Sequence, residues 1–360
     1  MAGGIWLKNQ WGGGVIISNK KSELFVGTFL ATLIILLIVF RSGEHFSDVD
    51  NYIAMYKDVL SGGTANTEFS FVLFSKISVF MGVSYLGLFL IYALISIYSK
   101  YFFLRRLAFR PTLVVILYGI SYFILYEFVQ MRAGTALGVF LVALVFYSRE
   151  ETLKSLVVCF LASFIHYSII PLVILLFSSP ILFKIKCKQF LGLSLFGFSF
   201  SVITIFFIFY FVLMSFFPVL DFRYVFIDMI YSTLNWILPS RIYEGYFGVN
   251  GLPVAIVSMK QVLSIFLATI SVTILIFGLL KREWIYYFSC FMVISSFWVY
   301  FFFGNLGVIT ERLSEILLLF IIVVIDGVIK SNKAMGYFLF CIISSVFLIN
   351  LLTRASYFEY

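Results

Sequence analysis

Charge is the first thing this chain lacks. Lysine, arginine, aspartate and glutamate make up 12% of its 360 residues, against ~25% in an ordinary soluble domain. Sixty-two per cent of the positions are hydrophobic, about 223 in all. Even a soluble core of ~250–300 residues could not hide that much apolar surface from water. At ~20 residues per crossing the apolar positions would fill about eleven membrane helices. A soluble enzyme, a disordered chain and a fibrous protein are excluded. Histidine is also scarce: only His45 and His166 are present, which leaves a histidine-based zinc site without enough ligands. The four cysteines, Cys159, Cys187, Cys290 and Cys341, lie in apolar runs or beside a basic loop. None has C-x-x-C or Cys/His spacing, so they read as small packing residues. Nucleotide-binding loops are missing as well, because Gly3-Gly4 and Gly12-Gly13-Gly14 have no following Lys-Ser/Thr and no strand. That leaves ATP-driven or nucleotide-sugar chemistry at the cytoplasmic face unsupported. No basic patch is interleaved with aromatics, so the net charge of +8 does not point to nucleic acid.

What is present is a series of long uncharged stretches. They cover residues 24–40, 77–99, 111–126, 133–148, 190–220, 261–280, 284–310 and 334–353. A further stretch, 312–325, carries charge in its first turn. The first has no small-residue cleavage site behind it and reads as a retained helix. Residues 155–183 are too long for one straight helix and short for two; they read as a hairpin with its tip at 166–171. With the N-terminus inside, the inner loops hold Lys8, Lys20 and Lys21; Lys100, Arg105, Arg106 and Arg110; and Arg149 and Lys154. They also hold Lys184, Lys186 and Lys188; Lys281 and Arg282; and Lys330 and Lys333. These are sixteen of the 25 basic residues, as the excess of Lys and Arg in cytoplasmic loops requires. The expected architecture is all-α: one integral membrane domain, 1–360, with about eleven transmembrane helices and a cytoplasmic N-terminus. Two outer loops, 41–76 and 221–260, are long enough to matter.

Ionisable groups at membrane depth are costly and usually face a cavity, and here nearly all of them fall on the outer side. The first outer loop carries Arg41, Asp48, Asp50, Tyr52, Tyr56 and Glu68. Glu127 and Arg132 sit between two uncharged stretches, and His166 is at the hairpin tip. Arg223, Arg241, Glu244 and Tyr246 lie in the second long loop, and Glu311, Arg312 and Glu315 open a late helix. Hairpin arms of about 13–15 residues rise only ~20–22 Å, less than a hydrocarbon core of ~30 Å. His166 is therefore expected below the surface, in a water-filled, outward-facing hollow with Arg132. Arginines converging there suit an anionic head group on a lipid, since the guanidinium fork matches phosphate.

The order of these features resembles the EpsG/Wzy family of bacterial surface-polysaccharide polymerases. One helix is followed by an outer Asp with tyrosines behind it (Asp50, Tyr52, Tyr56), then Glu68-Phe69. Next comes an Arg starting a small-residue helix (Arg132-Ala133-Gly134-Thr135-Ala136), then Phe-x-His-x-Ser (Phe164, His166, Ser168), then Arg312. The match is close over residues 24–183 and looser beyond. The family often has Gln directly after this arginine; here Gln130 precedes it.

The resemblance implies a glycosyltransferase of lipid-dependent, GT-C-like architecture in the bacterial inner membrane. It would polymerise undecaprenyl-pyrophosphate-linked repeats into an O-antigen, capsule or exopolysaccharide at the periplasmic face, by block transfer of the growing glycan. The expected partners are the lipid-linked oligosaccharide, membrane lipids, and a flippase and chain-length regulator of the same pathway, with no nucleic acid. Breaking a C1–O bond to pyrophosphate needs charge stabilisation, which fixed guanidinium groups supply without a metal or cofactor. Arg132 and Arg312 are the expected catalytic arginines, with Arg241 binding substrate. His166 is the favoured general base, because histidine's ordinary pKa suits neutral pH; Asp50 is the alternative. Asp48, Tyr52, Tyr56, Glu68, Glu127, Glu244 and Tyr246 are the expected sugar-binding residues. Two other readings stay open. The Asp48-Val49-Asp50 sequence also suits a polyprenyl-phosphate-sugar glycosyltransferase that uses a divalent metal, and an O-antigen ligase would share the arginines and the histidine.

Overall fold

The computed structural model describes residues 20–41, 47–62, 68–183, 259–280, 283–303 and 308–355. Every regular element among them is helical. We number the helices α1 (Lys20–Val39), α2 (Ser47–Leu60), α3 (Phe69–Phe80), α4 (Tyr85–Leu107), α5 (Pro111–Ser121), α6 (Met131–Ser148), α7 (Thr152–Ile165) and α8 (Ile170–Phe183). They continue with α9 (Met259–Ile276), α10 (Trp284–Phe303), α11 (Val308–Leu318), α12 (Ile321–Ser331) and α13 (Lys333–Ala355).

Three of these, Tyr85–Leu107, Met131–Ser148 and the Trp284–Phe301 part of α10, are long and apolar enough to cross a membrane. Large apolar side chains such as Leu153, Phe160, Ile174 and Phe338 are 60–74% exposed. Repeated over many helices, such exposure fits a hydrocarbon surround and not water. The chain is a multi-pass membrane protein.

Several boundaries differ from the sequence expectation. The stretch 77–99 is not one helix: α3 and α4 form an antiparallel hairpin whose turn, Met81–Ser84, contains Gly82 at φ +69°. Ser78 Oγ donates to the carbonyls of Val83 (3.0 Å) and Ser84 and closes this turn. Hydropathy cannot see such a turn, because none of its residues is charged. Lys100, Arg105 and Arg106 consequently lie within α4 and not in a loop. The stretch 312–325 likewise breaks into α11 and α12. Residues 111–126 make α5 and then a π-helical turn, Ile124–Val129. Pro111 stands at the first helical position of α5, where its missing N–H costs nothing. Asp326 accepts from the backbone N–H groups of Phe109 and Arg110 at 2.8 and 2.7 Å, capping that end. The stretch 190–220 and the second outer loop lie outside the described residues.

At the centre, α6 packs on α4 and α7. Two glycines of α6 allow close approaches, Gly138 to α4 and Gly134 to the π-helical turn before α6. A Cβ at Gly138 would sit 3.0 Å from the Ser96 carbonyl, and one at Gly134 would collide with the carbonyl of Tyr126. Small residues four apart are the usual means of close helix contact in membranes. Ser96 and Lys100, four apart on α4, face this seam. A break at His166 and a short 3-10 turn at Tyr167–Ile169 separate α7 from α8.

Candidate active site

Glu68 sits immediately before α3, where its backbone is extended and its carbonyl accepts from Phe71 N–H at 2.9 Å. Ser70, two residues on, contacts Tyr92 at 3.1 Å and donates to the Ile165 carbonyl at 3.2 Å. The start of α3 is thereby tied both to α4 and to the end of α7. Tyr92 lies seven residues into α4, about 10 Å along the helix at 1.5 Å per residue. Glu68 is therefore set well below the α3–α4 turn.

Three side chains meet there. Arg132, in the first turn of α6, forms an ion pair with Glu68 Oε2. His166, the residue that ends α7, places Nδ1 2.5 Å from Glu68 Oε1. One carboxylate thus holds a guanidinium with one oxygen and an imidazole with the other. Burial alone would raise the Glu68 carboxyl; the His166 hydrogen bond and the Arg132 charge outweigh it and hold the group below its ordinary value of 4.5. The Arg132 guanidinium also lies 5.4 Å from the Tyr52 ring and 5.6 Å from the Phe71 ring. Tyr52 is fixed in turn by its hydroxyl, which donates to the Val129 carbonyl at 3.3 Å.

These groups open on a cavity of about 400 Å³, within the size range of small-molecule sites. Helix α2 supplies Asp48, Asn51 and Tyr52; the entry to α6 supplies Gln130 and Arg132; His166 and Arg312 complete its polar wall. Arg132 Nε and Gln130 Oε1 are buried and make no hydrogen bond among the described residues. Of the sequence candidates, then, the fold brings together His166, Arg132, Arg312, Asp48, Tyr52 and Glu68.

Others are elsewhere. Asp50 points away on the exposed face of α2, so Asp48 and Asp50 do not converge. Tyr56 is buried and reaches the Val83 carbonyl at 3.5 Å instead of the cavity. Glu127 is 2% exposed and paired with Lys100 at 2.5 Å, a bond inside the protein and not at its open face. Arg241, Glu244 and Tyr246 lie outside the described residues. Sequence reasoning missed Asn51 as a wall residue and missed Lys100, which it assigned to a loop. The signal for Asn51 was its place one turn from Asp48 on an amphipathic helix.

A family model for the EpsG family matches residues 24–360. The chain belongs to the EpsG family. No protein of curated function and no solved structure matches it. EpsG membership suggests a polysaccharide-polymerase role of the glycosyltransferase type. The His–Glu–Arg cluster of this EpsG-family chain has parts that such a reaction needs: an oriented imidazole, fixed guanidinium groups and a polar cavity.

Proposed function

We propose that this chain elongates a surface polysaccharide by transferring a growing glycan from undecaprenyl pyrophosphate onto a new lipid-linked repeat, at the outer face of the bacterial inner membrane. The observation that carries this reading is the Arg132–Glu68–His166 cluster at the wall of a cavity that also contains Arg312.

The geometry supports a role for each of these residues. With Nδ1–H donated to Glu68, the neutral imidazole keeps Nε2 as its acceptor. A carboxylate behind a histidine fixes its tautomer and stabilises the imidazolium that forms, the logic of a hydrolase triad. The acceptor sugar's hydroxyl oxygen attacks C1 of the donor glycan while Nε2 of His166 takes its proton. The C1–O bond to pyrophosphate breaks, and undecaprenyl pyrophosphate leaves with the electron pair. Arg132 and Arg312 meet the charge that develops on the leaving group. Arg132 gives one N–H to Glu68 and keeps other donors for phosphate. Asp48, Asn51, Tyr52 and Gln130 supply hydrogen-bonding groups for sugar hydroxyls. With Asp50 exposed, His166 is the base this arrangement favours.

A strain lacking the protein tests this reading. Surface lipids should carry single repeat units in place of a ladder of chain lengths, and a plasmid copy should restore the ladder. An unchanged ladder in the deletion strain, with only attachment lost, would favour a ligase.

A further inference from the structure

We propose that Lys100 is a positioning residue for the lipid pyrophosphate site, acting on Arg132 through the backbone of α6. The inference rests on the reading of Arg132 as a pyrophosphate ligand.

Lys100 lies on α4, 8% exposed, and is not among the residues that line the cavity. Its Nζ makes three bonds: to Glu127 Oε1 at 2.5 Å, to Ser96 Oγ at 2.5 Å and to the Gly134 carbonyl at 2.8 Å. Three donors on one ammonium are thereby all used. Glu127 belongs to the π-helical turn just before α6, and Gly134 is two residues beyond Arg132. The one cation therefore clasps the chain on both sides of Arg132.

The rest of the neighbourhood tightens the clasp. Glu127 also accepts from Ser96 Oγ at 2.9 Å and Tyr118 Oη at 2.6 Å. Arg41 donates to the Glu127 carbonyl at 3.3 Å and contacts Met131 Sδ at 3.5 Å. Thr135 Oγ1 donates to the Tyr92 carbonyl at 3.2 Å. The π-helical turn can lie on α6 only because Gly134 has no side chain, as the collision of a Cβ there with the Tyr126 carbonyl indicates. π-Turns cost regular hydrogen bonding and concentrate at functional sites. A buried ion pair adds little net stability over an apolar pair of similar volume. Fixing the first turn of α6, and hence the guanidinium of Arg132 relative to Glu68 and Arg312, is a use that explains why this one is ionic.

The test compares purified wild type with Lys100→Met/Glu127→Leu, which removes both charges and leaves neither orphaned. Binding of undecaprenyl pyrophosphate is measured directly, alongside elongation kinetics, thermal midpoint and pH profile. The double variant should stay inserted and monodisperse. Its Kd for undecaprenyl pyrophosphate should rise about tenfold, the loss of one charge-assisted hydrogen bond. Its kcat should fall about 10–10²-fold, as expected for a displaced catalytic group. The pH profile should not move, since His166 lies outside the clasped segment. A folded double variant with wild-type Kd and kcat overturns the proposal, and so does a loss that merely follows the thermal midpoint. If the double variant does not insert, Ser96→Ala decides: it keeps the ion pair but removes the hydroxyl that both partners share. A rise of about twofold to fivefold in Kd supports positioning, within the range of one neutral hydrogen bond, and an unchanged Kd overturns it. Wild-type protein that binds the lipid pyrophosphate without elongating glycan would sink the polymerase reading and leave the binding comparison intact.

Discussion

Replacing Glu68 with glutamine changes no volume and removes one charge, and the structure says what that should do. In the native chain the carboxylate accepts from Arg132 on one oxygen and from His166 Nδ1 on the other. A glutamine amide can still accept from Arg132 with its oxygen. It must then turn its NH₂ toward His166, and a donor facing Nδ1 forces the opposite imidazole tautomer. Nε2 then carries the proton and cannot take one from the acceptor hydroxyl. An amide behind a catalytic histidine lowers kcat by about 10⁴-fold in the serine-protease example, and general-base loss alone is about 10²–10⁴-fold. We therefore expect Glu68→Gln to lower kcat by about 10²–10⁴-fold. Donor binding should hold or improve, because Arg132 is relieved of a full negative charge. The assay is elongation of lipid-linked repeats by purified protein, with binding of undecaprenyl pyrophosphate measured separately. A Glu68→Gln enzyme retaining a third or more of wild-type kcat would refute the tautomer argument and leave Glu68 as a tether for Arg132 only.

Further outcomes follow from the same geometry. Arg132→Lys should be nearly as poor as Arg132→Ala in making long chains while both variants remain in the membrane, because a lysine cannot hold Glu68 and a phosphate with one planar fork; wild-type chain lengths from Arg132→Lys would reduce the residue to a diffuse charge. Asp50→Asn should leave chain length within about twofold of wild type, as substitutions on an exposed face generally cost little; complete loss of polymer would make Asp50 the base. Glu68 has a depressed pKa, so its contribution to stability is present above the ordinary value of 4.5 and is lost as pH falls through the depressed one. The gap in thermal midpoint between wild type and Glu68→Gln should accordingly be constant between pH 6 and 8 and close only in acid, and a gap that closes near neutrality contradicts the assignment.

The sequence revealed this site better than it revealed the helices around it. Arg132, His166 and Arg312 stood out because a charge within or at the edge of a long apolar stretch has few cheap explanations, while Glu68, in the first outer loop, was marked by its place in the family's order of motifs. The α3–α4 turn was invisible for the opposite reason: Met81, Gly82, Val83 and Ser84 carry no charge, so hydropathy runs through them. Reading that turn as helix moved Lys100 into a loop and hid its bond to Glu127. Glu127 itself looked like an open-face residue, since only the π-helical turn aims it inward at α4. Asp48 and Asp50 are indistinguishable as letters; the helical phase of α2 separates them, one lining the cavity and the other outside it. A Glu68 oxygen for each of two partners 64 and 98 residues away is a fact of tertiary packing, with no local signal in the chain.

The central claim is that fixed arginines and a glutamate-oriented histidine carry out glycan transfer from a lipid pyrophosphate. Purified protein mixed with lipid-linked repeats in the presence of EDTA tests it most directly. The account predicts products several repeats long, formed at the rate seen without chelator, and their loss in His166→Ala and His166→Gln alike. Elongation that stops with EDTA and returns with Mg²⁺ or Mn²⁺, or that survives in His166→Gln, would contradict it.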